Sequence, residues 1–448
     1  MRNRTVRILK GIGITLVILG LIYAVATAVS FGKLRRAYAD LEKAGRPMKS
    51  DAIIPPAVAD TENAALLYES AILLLKAQPA ADENLLDHLG GLSDTFLTES
   101  LETDKSAELE KLLEQDVVRQ ALSAIEQGTR RPSCRFDYDY NAGFNMLMPH
   151  LSGLRGLMRI LGAKACLEAQ AGRSNAAWDL VATQVRFADA LRKDPIIISQ
   201  LVRLASIRTS CQAIQKISEI APPSDEQYRN LEHLLLDYQD NTSLVLAFDG
   251  ERLLGGEWAF NLIREEPGKV FALTGGDAHE SELGAMVMGL YSAFKPLSLA
   301  DHAAYLRIMG EHTRSVQEPY LPGEQNALDA KISRVHLVTS MIVPALGRVK
   351  EVYWEMIAQM RVTRAGLALL KYKKAGGSFP NTLEELALKQ ADDPFSKDEF
   401  VYRSGPDGFV LYSVGPDGKD NGGAPKQKKG KTDWDIVWQF PTNRSASQ

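Results

Sequence analysis

What this sequence has little of narrows its chemistry first. Only three cysteines occur in 448 residues, and Cys134, Cys166 and Cys211 are too widely separated to share a metal-binding spacing. Three buried thiols are the expected state, because cysteine is among the most buried residue types; in an exported chain a pair among them is the alternative. The histidines are isolated. His279-Glu280-Ser281 begins like a zinc helix, but no second histidine follows at helical spacing. Gly-x-Ser-x-Gly, a P-loop and Gly-x-Gly-x-x-Gly are all missing, so the chemistry those motifs carry has no visible bearer. Lysine and arginine are scattered, no aromatic–basic module appears and the formal net charge is only −4, which leaves no nucleic acid partner.

What is present is ordinary in bulk. With 45% apolar and 24% charged residues most of the chain should fold, and its length leaves room for two or three domains. One long apolar run stands out. Gly11–Gly32 carries no charge and follows Arg2, Arg4, Arg7 and Lys10. As a helix it would span about 33 Å, enough for a bilayer core. Residues 1–32 therefore read as a signal-anchor transmembrane segment. A cleaved signal peptide is the competitor, since Ala26-Thr27-Ala28 has the A-x-A form. Lys33, Arg35 and Arg36 blur the charge bias, but long domains translocate largely regardless of it. The expected topology is a cytoplasmic N-terminus and an extracytoplasmic body.

Residues 33–345 read as an α-helical domain. Asp60 is the expected cap of a helix whose apolar residues recur at Ala64, Leu67, Ala71, Leu74 and Leu75. A second amphipathic run covers 106–127. Helices over 151–171, 175–192 and 196–220 follow with short joints, and Gly172 sits at a turn of tetratricopeptide type, giving a helical hairpin rather than a repeat array. Two sets of acids are candidates for chemistry. Asp137 and Asp139 alternate with Phe136, Tyr138 and Tyr140, as in a sugar cleft or, more commonly, a packed loop with solvated acids. Asp249, Glu251 and Arg252 stand on an otherwise apolar segment, as a site, an ion network or an ordinary helix end.

Residues 346–448 form the stretch with the most definite grammar. A helix ends in Gly376-Gly377; Asn381 with Glu384 reads as a capping box; Asp393-Pro394 stops the chain. FVYR and FVLYSVG then make a hairpin around Ser404–Gly408. Beyond it lie Asp417, Asp420, Asp433 and Asp435 among Gly415, Gly418, Gly422 and Gly423. Hard oxygen donors on a tightly turning chain suit Ca²⁺. Lys419 and the lysines of APKQKKGK set five ammonium groups against those four carboxylates, so a lysine-paired or solvated turn is the competing reading.

The order FPNTLEEL, DPFSKDEFVYR, YSVGPDG and DWDIVW, from about Arg361 to Trp438, resembles the C-terminal half of the major pseudopilin of type II secretion systems. The resemblance implies a small α+β module and a calcium loop, with Asp417 and Asp435 as side-chain ligands and Asp420 and Asp433 as weaker candidates. The whole chain is similar to bacterial membrane-anchored proteins with a helical body and such a tail. The apolar span lacks the glutamate of a pseudopilin and lies over 300 residues upstream of the module, so assembly by that family's route is not implied. The expected fold class is mainly α: a transmembrane helix, a helical body and a pseudopilin-like α+β tail. The expected function is a non-enzymatic, membrane-anchored envelope scaffold with partners among envelope or secretion-system proteins. The alternative is an extracytoplasmic hydrolase or sugar-binding protein using the acids of the body, which would have to converge in one cleft.

Overall fold

The computed structural model describes residues 2–99, 101–266, 278–322, 336–396, 398–425 and 434–441. The apolar run and the polar stretch after it are one helix, α1 (Arg2–Lys43). It is long and apolar enough to cross a membrane. From Ile8 to Ile22 it is exposed on all sides. From Tyr23 onward one stripe turns inward, ending in buried Ser30, Leu34, Ala37 and Leu41, the three-and-four spacing of a packed helix.

The body opens with α2 (Ala64–Lys76), a two-residue hairpin of β1 (Pro79–Ala80) and β2 (Glu83–Asn84), α3 (Leu85–Thr98), α4 (Thr103–Leu113) and α5 (Asp116–Thr129). The cap of α2 is Asn63 rather than Asp60. Its side chain accepts from the Ala65 N–H at 3.2 Å and donates to the Arg135 carbonyl at 2.8 Å, tying the helix start to a distant loop. The run expected over 106–127 is two helices, because Gln115 is extended between them.

The centre is α6 (His150–Gln170), α7 (Ser174–Ala188) and α8 (Ile197–Ile220), close to the expected bounds. Gly172 has φ +76 and makes the hairpin turn. Next come α9 (Asp225–Leu236) and α10 (Thr242–Gly250), then a π-helical turn (Glu251–Gly256) that runs on into α11 (Glu257–Glu265). α12 (Ala278–Ala293) and α13 (Lys295–Ser315) follow. α13 is the chief neighbour of the packed half of α1. α14 (Leu337–Ile342) gives way at Pro344 to a 3₁₀ turn before α15 (Val349–Gly376), the break that a proline at this place implies.

α15 lies between the body and a three-stranded antiparallel sheet. It packs on α8 on one side and on the sheet on another. The sheet runs β3 (Val401–Ser404), β4 (Phe409–Ser413), β5 (Ile436–Phe440), with β4 central. Gly366, in mid-helix, shows why the two fit. Glycine there costs about 1 kcal/mol against alanine, but a Cβ would stand 2.0 Å from the Trp438 ring, so the need for space decides. The short turn after Gly377 is capped by Thr382 with Glu385, one residue later than the Asn381–Glu384 pair expected. One hydrophobic cluster runs from Leu34 through the body to Trp438, so packing is continuous across residue 345.

Candidate functional sites

The acidic loop joins β4 to β5, and its described carboxylates accept hydrogen bonds from donors of the same loop and the strand beside it. Asp435 is buried. One oxygen accepts from the Asn421 N–H at 3.3 Å; the other accepts from Gly423 and Ala424 at 2.7 and 3.2 Å. Gly422 and Gly423, at φ +75 and +83, permit the turn that aims those donors. Burial raises the Asp435 carboxyl above the ordinary aspartate range, and the backbone donors only partly offset it. Asp417 accepts from the Lys419 N–H at 3.1 Å and the Asn421 side-chain amide at 3.2 Å. Asp420 accepts from the Gly422 N–H and the Tyr412 hydroxyl, both at 2.8 Å, which lower its pKa. Asp433 and the lysines of the insert lie outside the described residues.

Six to eight oxygens must converge for Ca²⁺. Among the described residues no three His, Cys, Asp or Glu side chains come together in that way. In this geometry the loop is closed by N–H donors, and an ion would enter by displacing some of them. Asp393, read from the sequence only as a stop, belongs to the same construction. It is buried and accepts from Phe395 N–H at 3.0 Å, Ser413 Oγ at 2.7 Å and Val414 N–H at 2.9 Å.

The acids of the body separate into three fates. Asp137 points to solvent, its side chain 97% exposed, and Asp139 is exposed and accepts from the Asn141 N–H at 3.1 Å. Between them the aromatics turn inward: Phe136 stacks on His150 at 4.0 Å, and the Tyr138 hydroxyl meets Asp194 at 2.5 Å and His150 at 2.9 Å. Burial pushes Asp194 up to about 6 and His150 down to about 4. This interior knot was not legible, because Asp194-Pro195 reads as a helix separator. Asp249 is buried between Arg46 and Arg252, each at 3.3 Å.

Glu251 has the third fate. It opens the π-helical turn and faces a cavity of about 300 Å³. The walls include Met146, Met148, Ile197, Leu201 and Leu254, and Phe144 and Ile198 on the lining are exposed, as is Leu147 beside them. Gly255 lets the Phe144 ring and the Glu251 carboxyl close over the turn, since a Cβ there would be 2.8 Å from the ring. Among the described residues no donor reaches this carboxyl, and burial alone pushes it up to about 7. Its neighbour Glu257 is differently placed: it accepts from the Tyr38 hydroxyl at 2.8 Å and pairs with His302 at 3.2 Å, joining α1, α11 and α13.

The four acids of the body thus do not meet in one cleft. The cysteines are all free, Cys166 and Cys211 buried and Cys134 partly so. Comparison with known proteins found no matching family model, no matching curated protein and no matching solved structure.

Proposed function

We propose that this chain is a single-pass, membrane-anchored scaffold of the bacterial envelope, non-enzymatic, with its body outside the cytoplasm. The observation that carries the reading is α1, bare and apolar over its first half and packed into the body over its second. Cleavage after Ala28 would discard Tyr23, whose ring meets Phe294 at 5.5 Å; that contact favours an uncleaved anchor. The basic start favours a cytoplasmic N-terminus. The sheet and its loop supply the interaction surface, and the pseudopilin-like order of the tail favours partners among secretion-type envelope proteins.

Alkaline phosphatase fused after Gln448 in bacterial cells tests the topology, and activity is the expected result. An inactive fusion, with an active cytoplasmic reporter at the same site, would reverse the orientation. Recovery of the full-length chain in the soluble fraction without detergent would end the anchor reading.

Calcium belongs to the proposal as a ligand of the acidic loop, through Asp417 and Asp435 with Asp420 and Asp433 in support. The supporting features are four glycines at positive φ and three described carboxylates on the one loop between β4 and β5.

A second reading, ligand binding by the body, is favoured by Glu251 alone. A part-buried carboxyl that no described donor reaches, set in an apolar wall, suits an apolar molecule that brings its own N–H, such as an alkylamine. Hexylamine should bind at least tenfold more tightly than hexanol, and Glu251→Gln should erase the difference. Equal binding of the two by the unaltered protein would remove this reading.

A further inference from the structure

We infer that one face of α12, formed by Met286, Val287, Leu290 and Phe294 at its end, sits in the acyl region of the bilayer beside the anchor. The inference rests on the anchor reading of α1 and goes beyond it, because it assigns a second, non-spanning surface to lipid.

The argument begins with a mismatch of lengths. The part of α1 that is bare on all sides, Ile8–Ile22, has 15 residues, about 22 Å of helix at 1.5 Å per residue. A hydrocarbon core of about 30 Å needs roughly 20 residues. Whether the core is counted from Ile8 or from Gly11, just past Lys10, the level of Tyr23 lies about 8–12 Å inside its far boundary. Yet at Tyr23 the helix already touches the body. Its ring meets the Phe294 ring edge-on at 5.5 Å, and its hydroxyl donates to the Ala293 carbonyl at 3.3 Å. The end of α12 is therefore carried below the membrane surface by the same helix that crosses it.

The surface of α12 suits that position. Leu290 is 64% exposed and Met286 59% exposed, with Val287 and Phe294 also exposed. From Leu283 to Phe294 the sequence has no charged residue. The opposite side is fixed to the body: Met288 and Tyr291 are buried, and the Tyr291 hydroxyl donates to Asp301 at 2.7 Å. The apolar face is thus held outward rather than free to fold in. Lys295, exposed, comes next and marks the return to polar surroundings; a lysine stem can carry its charge several ångströms back to the headgroups. Helices that lie in the interface bury an apolar face about 5–10 Å deep, which matches the depth set by Tyr23.

The test uses the full-length chain in phosphatidylcholine–phosphatidylglycerol vesicles. p-Benzoylphenylalanine is placed, one site at a time, at Leu290, at Leu19 in the bare half of α1 and at Leu73 on the exposed side of α2. After irradiation, lipid adducts are counted by mass spectrometry. Adducts at Leu290 and Leu19, at least tenfold above Leu73, are expected. Adducts at Leu19 with none above background at Leu290 would overturn the inference and leave the anchor standing. No adducts at either would overturn both, and equal labelling at Leu73 would show the Leu290 signal to be unspecific and overturn the assignment.

Discussion

Asp435, buried, and Glu251, part-buried, are both acids drawn back from water, and they could hardly be held more differently. Asp435 is met by three backbone N–H groups of its own loop. Glu251 is met by none among the described residues and looks into an apolar cavity. The first is a strut: its charge is matched inside the fold, and the loop is shaped by the match. The second is an unanswered group, and an unanswered carboxyl on an apolar wall is costly to the extent that it is desolvated, unless it is neutral or something arrives to pair with it. An acidic cluster in a sequence therefore says little until its donors are known.

The contrast is broken most directly at Asp435. Asp435→Ala should orphan donors of the loop, each worth about 1–3 kcal/mol when buried. The expected loss, read by chemical denaturation, is on the order of 3 kcal/mol; a loss below about 0.5 kcal/mol would mean that the loop does not depend on its central acid.

Glu251→Gln should act in the opposite direction and depend on pH. The folded-state pKa of Glu251 is raised from 4.5 to about 7. Below the unfolded value both states hold the proton, and the residue costs nothing. As pH rises from about 4.5 to 7 the unfolded chain ionises first, so stability falls across that window. The glutamine variant should match the parent near pH 4 and exceed it by roughly 2 kcal/mol at pH 8, less than the about 3 kcal/mol of the full shift because Glu251 is only part-buried. Tyr305 is the ionisable side chain coupled to Glu251, and its hydroxyl stays neutral throughout. A parallel pair of pH curves would refute the desolvated state.

Calcium is the next smaller effect. An ion that binds only the folded chain at a dissociation constant near 1 mM should add about 1 kcal/mol at 5 mM. Melting should rise by a degree or two, and Asp417→Ala should remove the rise. An unchanged melting point would mean that the N–H donors already do the ion's work. Asp137→Ala and Asp139→Ala mark the floor: as solvated acids each should change stability by less than about 0.5 kcal/mol.

The helical body, the apolar first helix and the hairpin of the tail were readable because each announces itself locally, by periodicity, by lack of charge or by turn residues. The errors at Asp60 and Asn381 arose where several capping residues stand in a row, and distant partners chose among them: Arg135 selects Asn63. The different fates of Asp249 and Glu251, two positions apart, were readable only in part: the ion network offered as one option holds for Asp249 with Arg252 and not for Glu251. One partner of Asp249, Arg46, is 203 residues away, whereas Glu251 turns toward residues of the 143–148 and 195–201 segments. Strand β5 was also hidden, since the insert separates it from β4, and the Trp438 ring over Gly366 helps seat it on α15.

The unbroken course of α1 has a mechanical meaning. In an anchored chain with a flexible tether the folded part samples a wide cap of positions and orientations above the lipid. Here the long apolar helix enters the body without a joint, and Tyr38 on it is bonded to Glu257 of the body. Such a molecule is a signpost rather than a buoy. On the anchor reading proposed above, it would hold its C-terminal sheet at one height and one bearing over the lipid.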